Sequence, residues 1–163
     1  TDTTAVLDGF TISGGNATDL GGGGMRNDSG AATVANVIFS GNFASSQGGA
    51  FYSLGTPTLT NVTFRDNSSS NGGGAMFIGG DLTLTNVTFS GNTSGGSGGA
   101  VLGGFGSPTL TNVTFTGNTS SSDGGAMFNN GATPTLTNGA FINNVISFVI
   151  FIISWAPSVA HCS

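Results

Sequence analysis

The sequence predicts an all-β fold: a right-handed single-stranded parallel β-helix, or solenoid, of about five to six coils of 25–26 residues. The motif Phe-x-x-Asn occurs five times, with its phenylalanines 25 or 26 residues apart. A repeat of this length is a supersecondary unit that buries its apolar side only by stacking on its neighbours. The 30 glycines among 163 residues, together with many serines and asparagines, disfavour helices.

Three short strands are predicted in each coil. Residues 62–64 (Val-Thr-Phe) alternate apolar and polar side chains, which is the period-2 pattern of a half-buried strand. A second strand runs through Thr58–Thr60, and a third follows a Gly-Gly pair, as in residues 75–77 (Ala-Met-Phe). We expect Met76 to face the core, and its two neighbours to share an outer face that offers a packing surface.

Two columns of identical residues are predicted to stack from coil to coil. The core Phe ladder consists of Phe39, Phe64, Phe89, Phe115 and Phe141. The structural Asn ladder consists of Asn42, Asn67, Asn92, Asn118 and Asn144. The amides of the second column are expected to bond to one another or to turn backbone, because a buried amide needs partners. This role is structural and not catalytic.

Residues that tolerate positive φ recur at two positions in each coil and predict left-handed corners between strands. The first corner precedes the Val-Thr-Phe strand and contains Gly9, Asn36, Asn61, Asn86, Asn112 and Asn138. The second corner directly precedes the Asn ladder. Residues 7–16 read as an earlier copy with Ile12 in the Phe position and one extra glycine, which makes Gly15 the corner residue and Asn16 the ladder residue.

Composition excludes several classes of function. Charged residues are 6% of the chain, with no lysine and no glutamate, and the net charge of -5 argues against nucleic acid as a partner. A single cysteine, Cys162, excludes an intramolecular disulfide framework. The seven aspartates are scattered over different coil positions, and the calcium-roll motif Gly-Gly-x-Gly-x-Asp is absent. We therefore predict no catalytic residue, no cofactor and no metal site.

The chain is predicted to divide at residue 144. Residues 1–144 form the β-helix repeat domain, a fragment of a longer solenoid, and residues 145–163 form an aberrant apolar tail. Three interpretations of the tail stay open: a frame-shifted end, an improvised strand that caps the last coil, or a membrane or sorting segment within residues 145–156.

Two stretches carry a family resemblance: residues 7–16, which read Leu-Asp-Gly-Phe-Thr-Ile-Ser-Gly-Gly-Asn, and residues 84–92, which read Leu-Thr-Asn-Val-Thr-Phe-Ser-Gly-Asn. The chain resembles bacterial right-handed parallel β-helix repeat proteins and the polymorphic outer membrane protein repeat. That repeat has two hallmarks, Phe-x-x-Asn and Gly-Gly-Ala followed by Ile, Leu or Val; the second is met strictly only at residues 98–101. The resemblance covers residues 5–144. It implies secretion or display at the cell surface in association with the outer membrane, with adhesion as the role.

The leading hypothesis for function is a structural or adhesive surface module that has no catalytic site of its own. Its expected partners are a host or matrix surface, glycans or neighbouring cells, with no nucleic acid, and the fragment is expected to be monomeric. Contact with a membrane would come through an anchor outside the fragment or through residues 145–156.

Two alternatives come from other classes of function. One is a polysaccharide-binding or pectate-lyase-like carbohydrate-active β-helix, for which Arg65 beside Asp66 is the one suggestive pair. The other is ice binding through an outward Thr-x-Thr array. This candidate binding face consists of Thr58, Thr60, Thr83, Thr85, Thr109, Thr111, Thr135 and Thr137.

Overall fold

The computed structural model describes residues 5–147, which form a parallel β-solenoid of about five turns. All strands among these residues pair in parallel with the equivalent strand of the next coil, and no helix occurs in this part of the chain. The predicted fold class is confirmed. The strands are short because each coil must turn several corners within 25 or 26 residues.

Sheet 1 has ten strands and contains the two predicted strands that flank the first corner. On one side of that corner lie Val6–Asp8, Thr33–Ala35, Thr58–Thr60 and Thr135–Thr137. On the other side lie Thr11–Ser13, Ile38–Ser40, Thr63–Arg65 and Ala140–Ile142. In two middle coils the strand passes through the corner without interruption, as Thr83–Ser90 and Thr109–Thr116.

Two further sheets complete each coil. Sheet 2 has six strands of two residues each: Asn16–Ala17, Phe43–Ala44, Ser68–Ser69, Thr93–Ser94, Thr119–Ser120 and Val145–Ile146. Sheet 3 has the five strands that follow the Gly-Gly pairs: Met25–Asn27, Phe51–Ser53, Met76–Ile78, Val101–Gly103 and Met127–Asn129. The strands of sheet 3 were predicted. Those of sheet 2 were not, because two residues are too few to show a period.

Equivalent residues of neighbouring coils stack directly on one another. Leu84 pairs with Leu59 on one side and with Leu110 on the other. The core is therefore made of columns of side chains. In the Phe ladder, ring centroids of neighbouring coils lie 4.8–5.0 Å apart with nearly parallel planes. The four inner rings of the ladder are fully buried, and Phe141 in the last coil is 53% exposed.

The alanine column in front of sheet 3 lies inside the solenoid, so its predicted place on the outer face is wrong. Ala50, Ala75 and Ala100 are fully buried and belong to the same core cluster as the Phe ladder. The alanine lies in the bend before the strand, where the alternation of a regular strand does not apply. The next residue, Met76 in the middle coil, is buried as well.

The Gly-Gly pair forms the sharp turn that leads into sheet 3. Gly73 has φ +60°, in the left-handed region that L side chains rarely adopt. Gly74 is enclosed on two sides: a Cβ there would overlap the carbonyl oxygen of Gly99 and crowd that of Thr93. Both positions thus require glycine, one for its backbone angle and the other for space.

The first coil corrects the predicted register at its second corner. Asn16 pairs with Phe43, one residue after the ladder Asn42, and the backbone N–H of Gly15 donates to Asn42 Oδ1 at 3.0 Å. Gly15 therefore occupies the ladder position, and Gly14, with φ +67°, is the corner residue. The spacing is the same as in other coils, without an extra glycine. No side chain fits at Gly15, because a Cβ would overlap the carbonyl oxygen of Gly23.

The last described strand, Val145–Ile146, lies just beyond the domain boundary predicted at residue 144. It pairs in register with Thr119–Ser120 and continues sheet 2 by one more coil. The boundary stays a prediction. The remainder of the predicted tail, residues 148–163, lies outside the described residues.

Candidate functional site

The buried Asn ladder saturates the hydrogen-bonding capacity of its three inner amides, Asn67, Asn92 and Asn118. The Nδ2 of Asn92 donates to Phe64 O at 3.0 Å and to Asn118 Oδ1 at 2.9 Å. Its Oδ1 accepts from the backbone N–H and from Nδ2 of Asn67, both at 3.0 Å. Asn67 and Asn118 make the same four bonds, so that each inner amide ties three coils together. The last member, Asn144, bonds only to the preceding coil. The ladder holds the sheet 1 to sheet 2 corner, and its inner amides have no free group for chemistry.

A second ladder of asparagines runs along the surface at the first corner. Each Nδ2 donates to the Oδ1 of the preceding coil at 2.9–3.2 Å. Its members are Asn36, Asn61, Asn86, Asn112 and Asn138. All have φ between 53° and 55°, which confirms the predicted left-handed corner. In the first coil the corner residue is Gly9, and the chain of side-chain bonds ends at the preceding residue, where Asp8 Oδ1 accepts from Asn36 Nδ2 at 2.8 Å.

The hydrogen bonds of this surface ladder were not predicted, although the sequence indicates them through the repeated choice of asparagine. Glycine or aspartate also tolerates positive φ, yet five successive coils use asparagine here. Such uniformity indicates that the amide itself has partners.

The predicted threonine face lies on sheet 1 next to this surface ladder. Its outer column is exposed and consists of Thr58, Thr83, Thr109 and Thr135, with Thr33 in register in the preceding coil. Its inner column consists of Thr60, Thr85, Thr111 and Thr137, of which the first three are half-buried. The structure therefore brings all eight predicted threonines together in two straight columns.

A polar loop ridge borders the outer threonine column. It is formed by the loops that join sheet 3 to sheet 1. The backbone N–H of Ser107 donates to Asp81 Oδ1 at 2.6 Å, and the hydroxyls of Ser107 and Thr133 lie 2.9 Å apart. In the same ridge Phe105, four residues before Thr109, exposes 68% of its surface. An exposed aromatic residue thus lies in the loop that leads into a hydroxyl-rich face.

The outward column of sheet 3 is mostly covered, so the packing surface predicted there is smaller than expected. Tyr52 stacks on Phe77 with ring centroids 4.8 Å apart, and Phe77 and Leu102 are each only 7% exposed. At the end of this column the guanidinium of Arg26 lies 4.5 Å from the Tyr52 ring centroid. Its hydrogen bond to Asp28 raises the pKa of Arg26 above its usual range.

Charged groups are sparse on the described surface. Arg65 Nη1 lies 3.3 Å from Asp66 Oδ2, and both side chains are more than half exposed. This is a solvated ion pair between neighbours in sequence. Within residues 5–147, no three His, Cys, Asp or Glu side chains are close enough to share a metal ion, and no enclosed cleft was found. No helix in that range has the length and apolar character to cross a membrane.

These features define a repeat protein of the parallel β-solenoid class. Residues 36–54, 86–104 and 112–126 match a family model described as the Chlamydia polymorphic membrane protein (Chlamydia_PMP) repeat. The resemblance read from the motifs is thereby confirmed: three segments of the chain are similar to the polymorphic membrane protein repeat. The matches together cover about a third of the chain. Neither the curated proteins nor the solved structures yielded a match to it.

Each matched segment contains one Phe-x-x-Asn motif and the following Gly-Gly pair. In structural terms it runs from the first corner, through the buried Phe and Asn ladders, to the bend before sheet 3, and two of the three segments also include the sheet 3 strand. The repeat is thus defined by residues of the core and the corners. The outward-facing threonines of Thr58–Thr60 and its equivalents lie outside the matched segments.

Proposed function

We propose that this chain is a non-catalytic adhesive module that is displayed at the cell surface and presents its threonine face to a partner. The observation that carries the proposal is the threefold match to a repeat of Chlamydia polymorphic membrane proteins, because it associates the fold with a bacterial surface. A solenoid suits this role because its coils present the same face repeatedly along a straight line.

The character of the surface supports binding over catalysis. The asparagines that recur in the motif use their amides to hold coils together, and Arg65 and Asp66 form an exposed pair with each other. The threonine columns, by contrast, have hydroxyls that point outward from regular strands. The loop ridge that leads into this face adds the hydroxyls of Ser107 and Thr133 and the exposed Phe105.

The test is attachment of beads that carry the purified 163-residue chain to cultured epithelial cells and to matrix-coated plates. The variant Thr83→Arg places a large cation on the threonine face. Its matched control, Thr93→Arg, alters an exposed strand threonine of the same coil on sheet 2.

We expect attachment by the unaltered chain, clear loss with Thr83→Arg and little change with Thr93→Arg. If the folded chain attaches to no surface better than beads coated with albumin, the adhesive function is wrong. If both variants lose attachment equally, the threonine face is not the binding face.

Ice binding is a second candidate, and the register of the threonine columns favours it. Threonines of neighbouring coils pair directly, as Thr83 does with Thr58 and Thr109, which spaces them by about 4.8 Å. The test is thermal hysteresis of the purified chain. A freezing point that stays equal to the melting point at millimolar protein would exclude this candidate.

A further inference from the structure

We infer that the outer threonine column and the loop ridge with Phe105 bind an extended neutral polysaccharide that lies across the coils, parallel to the solenoid axis. The inference deepens the proposed function and rests on it, because it names the chemical class of partner for the same face. It starts from three properties of the face: its chemistry, its repeat distance and its charge.

The first property is the combination of hydroxyl groups with one exposed aromatic ring. A pyranose has an apolar face of C–H groups and a rim of hydroxyls, so it is complementary to a ring bordered by hydrogen-bonding groups. Phe105 is the most exposed aromatic side chain in the described part of the chain. Ser107 and Thr109 follow it toward the sheet, and both are exposed. The ring provides the stacking platform and the hydroxyls provide directional bonds.

The second property is the translation between coils. Outward hydroxyls of the column recur about every 4.8 Å, which is close to the length of one sugar unit in an extended chain. Successive sugars would therefore meet equivalent threonines, as between Thr83 and Thr109. Because residues 5–147 enclose no cleft, a polymer that gains affinity from many weak contacts fits this face better than a small molecule does.

The third property is charge. The threonine columns are uncharged from Thr58 to Thr137, and the loop ridge beside them contributes the carboxylate of Asp81. The whole chain carries a net charge of -5. Uronic, sulfated or sialylated polysaccharides would be repelled, whereas a neutral glycan meets no unpaired opposite charge and no strong repulsion.

The experiment measures depletion of the purified full chain from solution by insoluble cellulose, chitin and starch, with pectin-coated beads as the acidic comparison. The central variant is Phe105→Ala. Because Phe105 is 68% exposed, we expect this change to leave the melting temperature nearly unaltered. The matched control is Phe43→Ala, which removes a 37% exposed ring from sheet 2. A second variant, Thr83→Val with Thr109→Val, removes two hydroxyls and keeps the β-branched shape.

We expect the unaltered chain to bind at least one neutral polysaccharide and to ignore pectin. Phe105→Ala should weaken that binding about fivefold to tenfold, the double Thr→Val variant should weaken it by a similar factor, and Phe43→Ala should leave it unchanged. The inference fails if no neutral polysaccharide is bound, if pectin is preferred, or if Phe105→Ala binds as well as the unaltered chain. Cell attachment without polysaccharide binding would overturn this inference and leave the adhesive function standing.

Discussion

The chain contains two columns of asparagines at the same repeat distance, and the two ladders use the same side chain for different purposes. In the buried ladder, Asn92 donates both of its amide hydrogens and accepts two more bonds, so that every polar atom is paired inside the protein. In the surface ladder, Asn86 makes one amide bond to each neighbouring coil and is exposed to water. The buried ladder requires asparagine because its amide fills four hydrogen-bonding positions. The surface ladder uses asparagine because this residue tolerates the left-handed backbone of the corner.

The two ladders also run in opposite directions. In the buried ladder each amide-to-amide bond runs from an Nδ2 to the Oδ1 of the later coil, because that Oδ1 also accepts from the backbone N–H of the earlier one. In the surface ladder each Nδ2 donates toward the earlier coil, in the same sense as the bond from Asn36 to Asp8. An ionised carboxylate can only accept, so Asp8 is compatible with that one direction. The direction of the buried amide bonds follows from the backbone N–H whose hydrogen bond each Oδ1 must accept. The direction of the surface amide bonds matches the acceptor-only carboxylate of Asp8 at their end.

The largest expected effect comes from breaking the buried ladder at its centre. Asn92→Ala removes the side-chain donor to the Phe64 carbonyl and the acceptor of two hydrogens of Asn67, one on its backbone N and one on its Nδ2, in a place that is buried. We expect the free energy of unfolding to fall by about 3–5 kcal/mol, since each buried unpaired group costs about 1–3 kcal/mol. Urea denaturation followed by far-UV circular dichroism measures it. A loss below about 1 kcal/mol would show that the buried amides contribute little.

The next effect tests the end of the buried ladder in the first coil. Gly15→Ala places a Cβ against the Gly23 carbonyl, so the backbone of this coil must shift. We expect a loss of about 1–3 kcal/mol, as for other overpacked sites. The control is Gly14→Ala, where an added Cβ meets no atom and the cost is the left-handed backbone alone, about 1–2 kcal/mol. The rate of amide hydrogen exchange in the first coil should rise more in Gly15→Ala than in Gly14→Ala. A larger rise in Gly14→Ala would refute the corrected register.

A smaller effect separates backbone angle from amide bonding in the surface ladder. Asn86 has φ 55°, so Asn86→Ala should cost about 1–2 kcal/mol through the strain of an L residue in the left-handed region. Asn86→Gly removes the same amide without that strain, and we expect it to cost less than about 1 kcal/mol. Thermal melts of the two variants distinguish the contributions. Equal losses would mean that the amide bonds, and not the corner, require asparagine there.

The smallest effect concerns the end group of the surface ladder. Asp8→Asn replaces an acceptor by a group that also donates, at an exposed site. The change in the free energy of unfolding should stay within about 0.5 kcal/mol at neutral pH. Chemical denaturation beside the unaltered chain is sufficient to measure it. A loss above about 1 kcal/mol would show that the exposed bond between Asp8 and Asn36 contributes more than surface hydrogen bonds usually do.

The sequence predicted most of the repeated core because identical residues at a fixed period have one simple explanation. The spacing alone placed Phe64 and Asn67 in columns and assigned positive φ to Asn61, which the structure has at 55°. The predictions that were wrong concern local backbone geometry, which the repeat period does not determine. Ala75 was expected outside because strand alternation was extended into a bend, where the chain turns the next side chain inward as well.

The candidate site could be predicted from the sequence only in part, for a similar reason. The threonine columns follow directly from the Thr-x-Thr motif, and the structure adds Thr33 through its pairing with Thr58. Phe105 carries no repeat signal, because it lies in a loop that varies in length between coils. Its exposure depends on how that loop returns to sheet 1. Gly15 was misplaced because the identity of Asn16 was given more weight than the constant distance from Ile12.

The exact registration of neighbouring coils has a consequence at the level of the gene. Thr83–Ser90 pairs residue for residue with Thr109–Thr116, so removal of residues 84–109 would join Thr83 to Leu110 and rebuild the same strand. Recombination between misaligned repeats of the coding DNA would therefore shorten or lengthen the protein by one whole turn and create no new junction. The number of coils can then vary while the threonine columns keep their register.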